Sequence, residues 1–368
     1  MTDDVSRTRG NLLASLTDQQ FLRALAAAGE PLSRAEIAAR TGISKPAISD
    51  AAARLESSAL IVDAGVREGR RGGVATLYRI NAERGHSLAI AMQSTGVAVR
   101  ARDLAGETVF DRDVPLQQDV TARVVVDLVN GLILASADAI GTPLIAATLS
   151  VAVPVDSATG DTVRLPNSPF PAGQFSLLGE LNIAPDEPAI VDNDVNWATL
   201  AERHLGSMTE CDDFIYVYLG TGIGAGIFAS GALLRGSRGL AGEIGYLRSV
   251  EGPDLTQALA ALGLGTAEAY GLDVDAALAL FPNDPLREEA ERALDLLAVA
   301  IVNAAILVNP RAVVLGGPLT RSARLVDGLR ARILETALDP PRVIASSHAP
   351  LEGASFEAHR LARGRFDF

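Results

Sequence analysis

Apolar residues first recur with helical spacing between Thr17 and Ala28, where Phe21, Leu22 and Leu25 share one face before Gly29-Glu30-Pro31 stops the pattern. Ser33-Arg34-Ala35-Glu36 fits a capping box, with Ser33 capping and Glu36 reaching back, so a second helix starts there. It ends at Thr41-Gly42, where glycine supplies the left-handed turn residue. Ser44 can cap a third helix, with Ile48, Ala51 and Leu55 turned inward and Lys45, Ser49 and Ala53 outward. Two short helices around a glycine turn form a helix-turn-helix, whose second helix is the one that enters a major groove. Leu60-Ile61-Val62 and Thr76 to Ile80 then read as two strands, joined by the basic tip Arg67-Glu68-Gly69-Arg70-Arg71-Gly72-Gly73. Directly after a helix-turn-helix, such a hairpin is a wing whose arginines suit phosphates or a minor groove.

The pattern changes near Gly85. Strand-like runs cover His86 to Ala91 and Gly96 to Ala101, followed by a turn at Asp103 to Glu107. Helical periodicity spans Val120 to Ala139, and strands return at Leu144 to Val153 and Ala189 to Val191. A helix is expected from Trp197 to about Leu205. The same style then repeats: Phe214 to Leu219 runs into a glycine-rich turn, Ile227-Phe228-Ala229 continues as strand, and Ala312 to Leu315 ends in Gly316-Gly317. Ala290 to Val308 is apolar on nearly all sides and is expected to be a buried helix. Hairpins followed by helices, occurring twice, predict two similar α/β lobes with a cleft between them. Gly220-x-Gly222-x-x-Ala225 satisfies a loose dinucleotide fingerprint, but that motif must open a helix. Here β-branched and aromatic residues follow, so a β-hairpin with glycines that admit a phosphate is the better reading.

Charge divides the chain at the same place. The formal net charge is −13, yet residues 1–85 carry 12 basic and 10 acidic residues, against 20 and 35 in residues 86–368. Any nucleic-acid footprint is therefore confined to the first segment, and the acidic remainder would repel phosphate. Within that footprint the expected contacts are Ser44, Lys45, Pro46, Ser49 and Arg54 on the third helix and Arg67, Arg70 and Arg71 on the wing. Asp50 would oppose phosphate; it either accepts from a cytosine amino group or pairs with Arg54 four residues on, and the pairing is the reading adopted. Lys45 is the only lysine, so a phosphate-loop or Schiff-base lysine is excluded beyond it. The single cysteine, Cys211, excludes a disulfide framework and a cysteine-rich zinc site. No apolar run reaches membrane-span length and the N-terminus is acidic, so a cytoplasmic protein is expected.

Several motifs in order resemble the ROK family of repressors and sugar kinases, over essentially the whole chain. Leu219 to Ile227 looks like the family's second phosphate hairpin, and Gly231 to Gly236 and Leu240 to Gly245 continue that signature. Val191-Asp192-Asn193-Asp194 resembles the stretch with the catalytic aspartate, Val314 to Gly317 the adenosine-side turn, and Gly353-Ala354 the C-terminal helix. The resemblance implies a two-lobed, actin-like or sugar-kinase-like (ribonuclease H-like) α/β fold behind an α+β winged helix-turn-helix. It places the DNA-binding domain at 1–85 and the effector domain at 86–368. Lobe 1 covers about 86–195 plus a C-terminal helix at about 346–368, and lobe 2 covers about 196–345. It also implies a sugar or sugar phosphate held by Asn193, Asp194, Glu243, Tyr246 and, in a cleft loop, Asn167.

The departures from the family matter as much. Its first phosphate loop, Asp-x-Gly-Gly-Thr, falls on Ala91-Met92-Gln93-Ser94-Thr95, where only Thr95 survives, so phosphoryl transfer should be crippled. Tyr246 replaces the family's zinc histidine and no cysteine follows Cys211, so neither zinc nor ATP is expected as a cofactor. The four histidines, His86, His204, His348 and His359, fall in no motif and are expected to be structural or solvated. The sequence thus predicts a homodimeric or tetrameric repressor of carbohydrate genes that binds operator DNA. Its rivals are an active sugar kinase with a DNA-binding appendix and a ligand-independent DNA-binding dimer.

Overall fold

In the computed structural model the described residues are 2–68, 74–93, 95–117, 120–165, 177–184, 186–249, 252–266, 270–281 and 286–368. The N-terminal unit consists of α1 (Thr2–Ala28), β1 (Leu32–Ser33), α2 (Arg34–Thr41), α3 (Lys45–Ser57), β2 (Ile61–Glu68) and β3 (Val74–Ile80). The first helix is thus much longer than the stretch from Thr17 that its apolar face predicts. The capping box forms as expected: Glu36 N–H donates to Ser33 Oγ at 3.3 Å and Ser33 N–H donates to Glu36 Oε2 at 2.8 Å. Gly42 ends α2 in the left-handed region at φ 71°. The three strands order β1-β3-β2, all antiparallel, so β2 and β3 project as a wing. Phe21, Leu22, Leu25, Ile37, Ile48 and Leu55 fill the core between helices and sheet, each at most 4% exposed. Complete burial of such a side chain contributes about 1.5–3 kcal/mol, enough to hold α2 and α3, short helices that would not persist alone.

Two five-stranded sheets follow. The first comprises β4 (His86–Gln93), β5 (Gly96–Asp103), β6 (Thr108–Pro115), β7 (Leu144–Val151) and β8 (Ala189–Asn193), with α4 (Ala122–Ile140) and a single turn, α5 (Leu177–Glu180), in the crossovers. Next come α6 (Asp194–His204), β9 (Phe214–Leu219), β10 (Ile223–Ala229), β11 (Ala232–Leu234), α7 (Leu255–Leu259) and α8 (Val274–Ala279). The chain closes with α9 (Glu288–Val308), β12 (Ala312–Gly316), α10 (Ala323–Thr336), β13 (Arg342–Ala345) and α11 (Pro350–Gly364). The sheets have the same plan, β6-β5-β4-β7-β8 and β11-β10-β9-β12-β13, each an antiparallel meander extended by two parallel strands. The repeat legible in the sequence is therefore structural, and the glycine-rich run at 220–226 is a β-hairpin.

Alternation along the strands sets the layers. Leu88, Ile90 and Met92 of β4 face α4, whereas Ala89 meets Trp197 of α6 and Ala354 and Ala358 of α11. In the second sheet Ile215, Val217 and Leu219 pack under α9 and α10, while Phe214 and Tyr216 face α6. The helices α6 and α11 thus fill the space between the sheets, and their approach is close because Gly353 has no side chain. A Cβ there would stand 1.9 Å from the Trp197 carbonyl oxygen. Two expectations change. The helix after Asp192 begins at Asp194, three residues early, because Asn193 caps it. The helix α9 is not buried all round: Val299, Ile306 and Leu307 are 59%, 57% and 87% exposed, since only one of its faces meets the sheet.

Candidate functional site

The end of β8 and the start of α6 deliver two polar side chains to the space between the sheets. Asn193 accepts a hydrogen bond from Val195 N–H through its side chain, at 2.9 Å, and so caps the helix. Asp194 accepts from the same N–H at 2.8 Å and is buried. Across the space, Gly242 makes room for Glu243: it sits at φ 91°, and a Cβ there would meet the Ala225 carbonyl at 1.8 Å. The chain can therefore run against β10, and Glu243 enters the same cavity as Asp194. Burial pushes the Asp194 carboxyl up to about 7. Burial, followed by the charge of Asp194, pushes Glu243 up to about 7 as well.

The cavity occupies about 700 Å³ and collects Asn193, Asp194, Glu243 and Tyr246, four of the residues singled out in the sequence. Asn167, the fifth, lies outside the described residues. Glu243 is therefore no surface turn residue, although its spacing alone allowed one.

Of the tyrosines around the cavity, the sequence singles out Tyr246 alone. Tyr216, Tyr218, Tyr246 and Tyr270 line the cavity, four of the five tyrosines in the chain. The i, i+2 spacing of Tyr216 and Tyr218 on one strand face was the available signal. Tyr246 and Tyr270 stack with ring centroids 5.1 Å apart. The Tyr218 ring folds over Gly220, where a Cβ would lie 2.6 Å from its hydroxyl oxygen. The glycine hairpin thus opens its backbone to a tyrosine. Burial and the charge of Asp194 push the Tyr218 phenol up to about 12, so it remains a neutral donor.

Two further groups escaped the sequence reading. Asp192, 2% exposed, accepts from Arg235 Nε and Nη2 at 2.7 Å and from Asn196 Nδ2 at 2.7 Å. This pair ties the edge of the first sheet to the segment after β11 in the second. His348 lines the cavity just before α11 and bonds Glu352 through Nδ1 at 2.7 Å. Where the resemblance places a zinc histidine, Tyr246 stands in a stacked pair with Tyr270, and among the described residues no group of three or more His, Cys, Asp or Glu side chains is placed to hold a metal. At the first loop Gln93 pairs with Gly96, and Ala91 is packed and 4% exposed.

The proposed nucleic-acid face divides as follows. Lys45 and Pro46 are exposed and Ser49 is half-buried on α3. Ser44 occupies the cap position of α3, but its side chain makes no capping bond. Arg54 does not pair with Asp50 as expected; it donates from Nε and Nη2 to Asp18 of α1, at 3.0 and 2.6 Å. Arg67 donates to Glu36 at 2.6 Å, and Arg70 and Arg71 lie outside the described residues. Among the described residues no helix is long and apolar enough to cross a membrane.

Comparison with known proteins extends this picture. The profile of the ROK family matches residues 87–257 and that of the MarR family residues 15–72. A beta-glucoside kinase of Listeria innocua is 48% identical over 75 residues, 20% of this chain and 26% of that protein. The xylose repressor of Bacillus subtilis is 24% identical over 221 residues, 59% of this chain and 56% of that one. The chain thus spans about a quarter to a little over half the length of these curated relatives. A crystal structure of a ROK family transcriptional regulator, a homolog of the E. coli MLC protein, superposes with a TM-score of 0.69 at 20% identity, over 96% of this chain and 98% of that one. A ROK family glucokinase from Streptomyces griseus in complex with glucose and AMPPNP gives 0.59 at 22% identity, over 76% and 100%. At these identities the superpositions show the fold alone, while the ROK profile matches a little under half of the chain and the MarR profile matches the helix-turn-helix segment before it.

Proposed function

We propose that the protein is a transcriptional repressor of carbohydrate-utilisation genes, whose kinase-like domain binds a sugar between its lobes and does not phosphorylate it. One observation carries the link between ligand and DNA. The helix α11 starts at the cavity, where His348, Ala349 and Pro350 line the wall. It ends against the N-terminal unit, where Ala362, Phe366 and Phe368 join the core built on Phe21, Ile48 and Leu55. The Arg84 guanidinium also lies 5.4 Å from the Phe366 ring centroid. A ligand that draws the lobes together acts on one end of a packed rod whose other end abuts the DNA-binding head. Such a ligand works only through different affinities for the two lobe arrangements.

The chemistry of the cavity suits a sugar. Asn193, Asp194 and Glu243 offer acceptors to vicinal hydroxyls, and tyrosine faces suit the C–H side of a pyranose ring. The xylose repressors among the relatives make xylose the first member of a test panel. Neither zinc nor ATP takes part in this reading, and a dimer presents two α3 helices to successive half-sites. The test is operator binding by the purified protein across neutral sugars and sugar phosphates. An affinity that no member of the panel changes would defeat the effector half of the proposal.

A second reading, a sugar kinase with a DNA-binding head, is favoured by one feature: Asp194 has a pKa near neutrality, as a general base needs. Ala91 and the Tyr218 ring oppose it. A coupled ATPase assay with the same sugars separates the two, since turnover abolished by Asp194→Asn would establish the kinase.

A further inference from the structure

We propose that Asp50 reads a cytosine in each operator half-site, accepting a hydrogen bond from the base's N4 amino group in the major groove. The inference rests on the DNA-binding role proposed above. Its starting point is the partner that Asp50 lacks. Arg54, one helical turn on, is held by two hydrogen bonds to Asp18 of α1. No side chain or backbone group among the described residues hydrogen-bonds the Asp50 carboxylate, and Asp50 is exposed. Arg54 acts on it only through space.

Position follows from the helix period. Ile48, Ala51, Ala52 and Leu55 of α3 are buried, so Pro46, Asp50 and Ala53 form the outward stripe beside half-buried Ser49. Asp50 is the sixth residue of α3, within the N-terminal portion that meets base edges when such a helix lies in the groove. Arg54 is drawn aside to Asp18, and the other neighbours on this stripe are short. Pro46, Ser49 and Ala53 hold nothing long between helix and bases, so the helix can seat deeply enough for an aspartate, with its single methylene, to reach an edge.

Chemistry then selects the base. An ionised carboxylate only accepts, and the major groove offers donors only at cytosine N4 and adenine N6. Adenine sets the acceptor N7 beside its N6, which a carboxylate cannot match and an amide can. A carboxylate facing guanine or thymine meets acceptors or a methyl group while close to phosphates. Asp50 therefore penalises every sequence without cytosine at that position, which is discrimination obtained through repulsion as well as attraction.

The test uses the full-length protein and a randomised duplex library, with bound sequences read out for the wild type, Asp50→Ala and Asp50→Asn, followed by anisotropy titrations on single duplexes. The wild type should select cytosine at one fixed position per half-site, and replacing that base should weaken binding about 5- to 150-fold. Asp50→Ala should lose selectivity at that position alone and bind the mismatched duplexes more tightly. Asp50→Asn should move the preference to adenine. Unchanged selectivity in both variants, or a uniform gain in affinity for all sequences, would overturn the assignment while leaving the operator role intact. A wild type with no sequence preference at all would defeat the operator role and this inference with it. Because Asp50 is exposed and makes no hydrogen bond among the described residues, both variants should melt with the wild type.

Discussion

Replacing Asp194 by asparagine should stabilise the unliganded protein, and increasingly so as pH rises. Asparagine keeps an acceptor for Val195 N–H and removes a charge that, among the described residues, has no basic partner within hydrogen-bonding distance. The carboxyl titrates near 7 when folded, against 3.8 for the free group, chiefly because it is buried. The sign follows from proton counts. Between those two values the folded state holds the proton and the unfolded state does not, so stability is full below 3.8 and is lost as pH rises through 7. At about 1.4 kcal/mol per pH unit, the loss reaches about 4 kcal/mol above neutrality. Asparagine escapes this loss, so its advantage should grow by about 2 kcal/mol between about pH 5.5 and pH 8. Relief of Glu243, which Asp194 helps to raise, adds to the effect in the same direction. Thermal melts of both proteins without sugar, across that range, provide the readout. For a domain of this size about 2 kcal/mol corresponds to roughly 3–4 °C. Melting curves that stay parallel at every pH would refute the account, because Asp194 would then be solvated or paired in solution.

Other outcomes follow from the same geometry. Gly353→Ala should lower the melting temperature by several degrees, because its Cβ must displace Trp197 and prise α6 from α11, an overpacking cost of about 1–3 kcal/mol or more. Ser33→Ala leaves Glu36 N–H without its acceptor and should cost about 1 kcal/mol, seen as earlier proteolysis of the head. Arg54→Ala breaks a partly exposed pair worth at most about 1 kcal/mol, and should weaken operator binding less than Lys45→Ala in an electrophoretic shift assay. Phe366→Ala combined with Phe368→Ala should leave sugar binding in place, measured calorimetrically, while shrinking the effect of sugar on operator affinity. An unaltered sugar response in that double variant would remove α11 from the signalling route.

The residues show why some of this was legible from the chain alone. The capping box at Ser33 and Glu36, the left-handed Gly42 and the inward Ile48 and Leu55 act within a turn or two of helix, so their spacing carries the information. The hairpin at 220–226 was legible for the same reason, since β-branched neighbours and glycines specify it locally. Asp194 and Glu243 were found by resemblance, and the fold brings them into one cavity from positions 49 residues apart. The Arg54–Asp18 pair was not legible because its members lie 36 residues apart on different helices, and the nearer Asp50 competed for the assignment. The exposed face of α9 was missed because a composition rich in alanine and leucine hides which side meets the sheet. What the sequence by itself determined is the set of short-range choices: caps, turns, strand alternation, and the loss of glycines and a carboxylate at positions 91–94. The tertiary structure alone decided what occupies the cavity wall and which partners Arg54 and Arg67 take. It also decided that one C-terminal helix touches both the cavity and the DNA-binding head. These depend on contacts between residues far apart in the chain, which packing selects and local propensity cannot encode.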